Sequence, residues 1–194
     1  IRYAKEMGCE IKLLGVARCQ EDGVEAYVCP MLIPAEHPLA SVNDSYNAVF
    51  VHGDAVGDTM FYGRGAGELP TASAVAGDVF EVVRNMKADC CGRVGCTCYK
   101  TLPVKDMADT HNRYFLRLQV EDRCGVLAEI LEHFAKYQAS VAQIMQKESK
   151  RPDTAEVVVI TSKVREGDFK TAVQELSNKS SVKRISKTIR VYRK

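Results

Sequence analysis

Three glycines fall within five positions, Gly63, Gly65 and Gly67, at the head of the stretch YGRGAGELPTASAVAGD. Glycine there permits φ > 0 and lets another group approach the main chain closely. Behind it Val75, Val79, Val82, Val83 and Met86 recur at helical spacing, and Pro70 and Thr71 fit a helix start. The spacing predicts a helix over 71–87. A glycine loop feeding a helix N-terminus exposes unpaired N–H groups, which suits an anionic or polar ligand. The same pattern serves a hairpin exit that merely packs closely. Both readings stand on the residues alone.

The chain before the loop reads as two hairpins. EIKLLGVAR (10–18) and 24–33 flank the turn signal QEDG, and NAVFVHG (47–53) and TMFY (59–62) flank GDAVGD. Lys12, in a strand, lays its stem along the sheet and carries no chemistry in this reading. His37, between Glu36 and Pro38, has no second His or Cys at ligand spacing. Asp54 and Asp58 are the right type for acid–base work, but Gly-Asp turns use Asp for local backbone hydrogen bonds.

Composition narrows the class. The net charge of +2 over 194 residues gives no reason to invoke nucleic acid or an anionic membrane. No apolar run is long enough to span a bilayer. Of eight cysteines, Cys90, Cys91, Cys96 and Cys98 crowd into CCGRVGCTC. Their spacing is not the paired arrangement of zinc ribbons, so free thiols in a reducing cytosol are expected, with a metal-binding cluster as the alternative. The opening IRYAKEMGCE reads as the end of a helix stopped by Gly8, so the chain is expected to be the C-terminal part of a longer protein.

The last third has the clearest order. Tyr114, Leu116, Leu118 and Val120 alternate as a strand; Val126, Leu127, Ile130, Leu131 and Phe134 line a helix. Strands over 141–146 and 156–162, a helix marked by Phe169, Ala172, Val173 and Leu176, and a strand marked by Ile185, Ile189 and Val191 follow. The order is βαββαβ, a ferredoxin-like arrangement. The expected class is α+β: a partial mixed-sheet domain over 1–105, then the ferredoxin-like domain over 106–194.

Two resemblances sharpen this. The run NAVFVHGDAVGDTMFYGRGAGELPTASAVAGD resembles homoserine dehydrogenases, where the glycine loop lies against the nicotinamide cofactor. That implies cofactor contacts at Gly65, Ala66, Gly67 and Thr71, with NAD or NADP, and catalytic residues upstream of Ile1. The run VEDRCGVLAEILEHF resembles the start of an ACT domain, whose usual pattern is Asp-x-Pro-Gly-Val-Leu; Cys124 stands in place of the proline. That implies an effector turn at Asp122, Gly125, Val126 and Leu127, with Asp122 meeting an amino acid or capping the helix. Gln143 and Gln146 face a partner, a ligand or water. Together the resemblances imply an enzyme interconverting L-homoserine and L-aspartate 4-semialdehyde, with L-threonine as effector. A cytoplasmic homodimer or higher oligomer is expected, with no metal, nucleic acid or membrane partner. The fragment alone is expected to be inactive. The alternative is a stand-alone amino-acid-binding regulatory module.

Overall fold

The structure is a computed structural model that describes residues 1–90, 100–149 and 151–192. In chain order the elements are α1 (Arg2–Glu6), β1 (Cys9–Gln20), β2 (Gly23–Pro34), β3 (Tyr46–Gly53), β4 (Gly57–Arg64) and α2 (Glu68–Lys87). Then come β5 (His111–Glu121), α3 (Val126–Lys136), β6 (Val141–Glu148), β7 (Thr154–Thr161), β8 (Val164–Arg165), α4 (Glu166–Ser177) and β9 (Val182–Val191). Short 3₁₀ turns cover Pro38–Ser41 and Met107–Asp109. The chain divides into two compact units, 1–35 with 102–194, and 36–101.

In the first unit β5, α3, β6, β7, α4 and β9 make the βαββαβ order, with two-residue β8 paired to the start of β5. The sheet runs β1-β2-β9-β5-β7-β6. It is mixed: β2 pairs parallel to β9 through Met31↔Arg190 and Leu32↔Val191, and the other pairings on that path are antiparallel. Alternation sorts side chains onto two faces. Leu116, Leu118, Val157 and Val159 meet Val126, Ile130 and Phe134 of α3 and Phe169, Ala172 and Leu176 of α4. On the other face Phe115, Val158 and Ile160 pack with Leu32, Val191 and Tyr3 of α1. With both faces covered, β7 reads AEVVVIT, an apolar run rather than an alternation.

The second unit holds the β3–β4 hairpin and α2. Its helix begins at Glu68 rather than Thr71, because Gly67 takes φ 127° and acts as N-cap. Pro70 then sits in the first turn, where a missing N–H costs nothing. Val75, Val79, Val82, Val83 and Met86 keep the helical spacing but are exposed, as are Val49 and Phe61 on the hairpin.

Candidate functional site

The glycine loop is built by the hairpin. The Gly65 N–H donates to Ser45 O at 3.1 Å, and Tyr46 stacks on Tyr62 with centroids 4.9 Å apart. Asn47 lies against Gly65: a Cβ there would fall 1.4 Å from Asn47 Nδ2. Gly65 therefore leaves room for the amide of the exposed Asn47, and Gly67 is favoured by its backbone angle. Ala66 is exposed between them, and the Thr71 N–H closes the first turn of α2 onto Gly67 O at 3.1 Å. The first-turn N–H groups of α2 precede any intrahelical acceptor, so those that are present are open to a polar or anionic group.

Nearby polar residues have local duties. His37 Nδ1 accepts from the Leu39 N–H at 3.1 Å, and its ring lies 4.8 Å from Phe50. Asp54 accepts from the Ala55 N–H at 2.8 Å, while Asp58 pairs with His52 Nδ1 at 2.6 Å. Among the described residues no group of His, Cys, Asp and Glu is arranged to hold a metal, and no disulfide forms. Of the cysteine cluster, Cys90 lies 3.6 Å from Asn85 Oδ1; Cys91, Cys96 and Cys98 lie outside the described residues. Among the described residues no helix is long and apolar enough to cross a membrane.

The turn before α3 places Asp122, Arg123 and Cys124 on the surface, with Val126 buried beneath. Gly125, at φ 91°, is the N-cap, and no side chain caps the helix. Asp122 is thus not the cap of α3; its N–H donates to Asp153 O at 3.1 Å, tying the turn to the β6–β7 connection. Arg123 turns back to Glu121 at 2.9 Å and Glu129 at 3.9 Å. Leu127 lies half-buried in the first turn of α3. Gln143 and Gln146 are exposed on β6, an edge strand.

A third polar centre had no sequence signal. Glu166, the first residue of α4, is 3 % exposed. It pairs with Arg190 and with Lys170 at 2.8 Å, and accepts from the Tyr114 hydroxyl at 3.1 Å. Burial pushes its carboxyl up, but hydrogen bonds from Arg190, Lys170 and Tyr114 outweigh it and hold the group below its ordinary 4.5. Burial beside that carboxylate raises the Tyr114 phenol. The network reaches β2: Tyr27 donates to Asn112 Oδ1 at 3.1 Å, and Asn112 Nδ2 to Thr110 Oγ1 at 3.1 Å. In the sequence Glu166 stands in REGD, which has the composition of an ordinary polar turn.

A βαββαβ unit with an exposed acidic turn before a glycine-capped helix has the build of a regulatory ACT domain, and the ACT family model matches residues 114–179. The homoserine dehydrogenase family model matches residues 1–80. The chain is 43% identical over its whole length to the homoserine dehydrogenase of Corynebacterium glutamicum, and 37% identical over 98% of its length to that of Bacillus subtilis, covering 44% of each. Among solved structures, a homoserine dehydrogenase from Thiobacillus denitrificans matches 99% of the chain at 36% identity and TM-score 0.88, with 44% of that chain covered. The chain belongs to the homoserine dehydrogenase family and carries an ACT domain. It spans less than half the length of the relatives it matches.

Proposed function

We propose that the chain is the C-terminal part of an NAD(P)-dependent homoserine dehydrogenase that interconverts L-homoserine and L-aspartate 4-semialdehyde in the cytoplasm. The observation that carries this reading is similarity along the entire chain, glycine loop and ACT domain together, to proteins of that name. In this reading 1–105 is the end of the catalytic and substrate domain and 106–194 is the regulatory domain. A nicotinamide cofactor would supply the hydride. The N–H groups opening α2 would meet a polar edge of the cofactor beside the exposed Ala66 and the N-cap Gly67, with Thr71 one turn on. Gly65 supports the loop by admitting Asn47. Proton transfer and substrate carboxylate binding belong to residues outside this chain, so the 194 residues alone are inactive.

The ACT domain supplies feedback. L-Threonine sets its carboxylate on the N–H groups from Gly125 to Leu127 and its ammonium or hydroxyl on Asp122. Because Asp122 is no cap, Asp122→Ala should leave stability within about 0.5 kcal/mol. It should weaken threonine inhibition roughly ten- to a hundredfold through one lost charge-assisted hydrogen bond. The experiment is homoserine oxidation by the full-length protein with NAD and with NADP, with and without threonine, in wild type and Asp122→Ala. No oxidation with either cofactor would leave the alternative, an amino-acid-binding regulatory module; unchanged inhibition in the variant would move the effector away from this turn.

A further inference from the structure

We propose that residues 103–105 clasp the tip of the β1–β2 hairpin, and that closure of this clasp carries the effector signal to residues 36–101. The proposal rests on the reading of the regulatory domain given above and concerns the step after the effector binds. β2 holds the chain both where it leaves for 36–101 and where it returns. At the exit the Ala35 N–H donates to Gly8 O at 2.8 Å, and Leu32 is seamed to β9. At the return the Val24 N–H donates to Pro103 O at 2.9 Å, and the Lys105 N–H donates to Val24 O at 3.0 Å. Gly23 makes this approach possible, since a Cβ there would fall 2.7 Å from Pro103 O. The Lys105 ammonium fastens the contact by pairing with Asp22 and donating to Gln20. Gln20 in turn donates to the buried Glu25 at 3.1 Å, and Glu25 pairs with Arg18 at 3.5 Å. All of these residues lie in one compact unit.

The clasp is built to open. Pro103 and Val104 are exposed, so the segment is held by two main-chain hydrogen bonds and one lysine rather than by apolar burial. Segments held in this way open more readily than the core does. The clasp also stands at one end of a firmly paired strand whose other end is the effector turn. From residue 105 the chain passes through the 3₁₀ turn Met107–Asp109 into β5, which is paired to β7 and β9 and ends at Glu121, beside Asp122. An effector that orders the 122–127 turn, and binds the closed form more tightly, shifts the clasp toward closure. Closure fixes both ends of the 36–101 segment to β2, and that restraint is the inhibited state.

The test uses the full-length protein. Hydrogen exchange is read by mass spectrometry in peptides covering the Val24 and Lys105 amides, and threonine binding and maximal inhibition of homoserine oxidation are measured beside it. Threonine should slow exchange in both peptides. Lys105→Gln and Asp22→Asn unfasten the clasp from either side, and Asp22 is exposed, so the fold is kept. Each should speed exchange there about two- to fivefold and lower the maximal inhibition. Linkage limits the loss of threonine affinity to the same factor, well short of that expected of Asp122→Ala. Lys136→Gln, which removes an exposed pair with Glu175 on the helical layer, should change none of the three readings. Unchanged exchange or full maximal inhibition in both clasp variants would overturn the proposal. So would wild-type exchange indifferent to threonine, or a loss of threonine affinity in the clasp variants as large as in Asp122→Ala. A wild type that neither binds threonine nor is inhibited by it would instead refute the regulatory reading, and the role of the clasp with it.

Discussion

Gly65 and Asn47 compete for one space, so a side chain at Gly65 must displace the amide even when no ligand is present. Gly65→Ala turns the exposed Asn47 amide aside and should cost about 0.5–1 kcal/mol. Asn47→Ala removes the two nearest atoms and leaves only its own Cβ, 3.2 Å away. The double variant should therefore recover much of the loss, seen as favourable coupling in a double-mutant cycle of chemical denaturation. If the cofactor KM stays raised in the full-length double variant while stability returns, the loop has a ligand duty beyond its packing. Glu166 makes a different kind of demand. Glu166→Gln leaves Arg190 partly buried without its counter-charge and should cost about 3 kcal/mol. Its folded carboxyl sits below the ordinary 4.5, so its stabilisation is present above that value and lost as pH falls through the depressed folded value. Wild-type stability in urea should decline on acidification, and Glu166→Gln should show a flatter decline.

At the scale of elements, the hairpin β1–β2 is tied to the regulatory sheet by a short parallel seam. Leu32 is 1 % exposed and packs with Phe115, Val158 and Val191. Leu32→Ala should cost about 2–5 kcal/mol and appear in the same unfolding transition that reports on β5 and β7. Unfolding of the hairpin apart from the regulatory strands would count against that coupling. Both hairpins were legible from alternation and turn residues, with every strand end placed within two positions. The βαββαβ order was legible for the same reason. The seam was not: two paired positions in β2 and β9 carry no local pattern, and they are far apart in the chain. The turn before α3 was legible because Asp122, Gly125 and the apolar run behind them lie close together in the chain. The Glu166 centre was not, because Tyr27, Thr110, Asn112, Tyr114 and Arg190 meet only after the sheet forms.

At the scale of the whole molecule, the apolar surface is unevenly covered. In α2 no residue is buried, and Val75, Val79, Phe80, Val82 and Val83 are each more than half exposed. The sheet of the other unit ends in two edge strands, β1 and β6, with Ile144 and Met145 exposed on β6. Exposed apolar stripes and unpaired strand edges favour association. Light scattering of the 194-residue chain at micromolar concentration should give a mass above one chain, and Val79→Glu with Val83→Glu should shift it downward. A monomer mass for the wild type would refute this.

The seam between β2 and β9 also bears on how such a protein can be taken apart and recombined. The Tyr192 N–H donates to Leu32 O at 2.7 Å, continuing the pairing of Leu32 with Val191. A graft cut in the linker near residue 106 would carry away the regulatory helices but leave behind a strand of their own sheet. Exchange of sensors between relatives would then succeed when the donor piece brings its own partner for β9, or when the recipient hairpin matches the incoming edge. The piece to transfer is the shared sheet, whose strands come from two separate stretches of the chain.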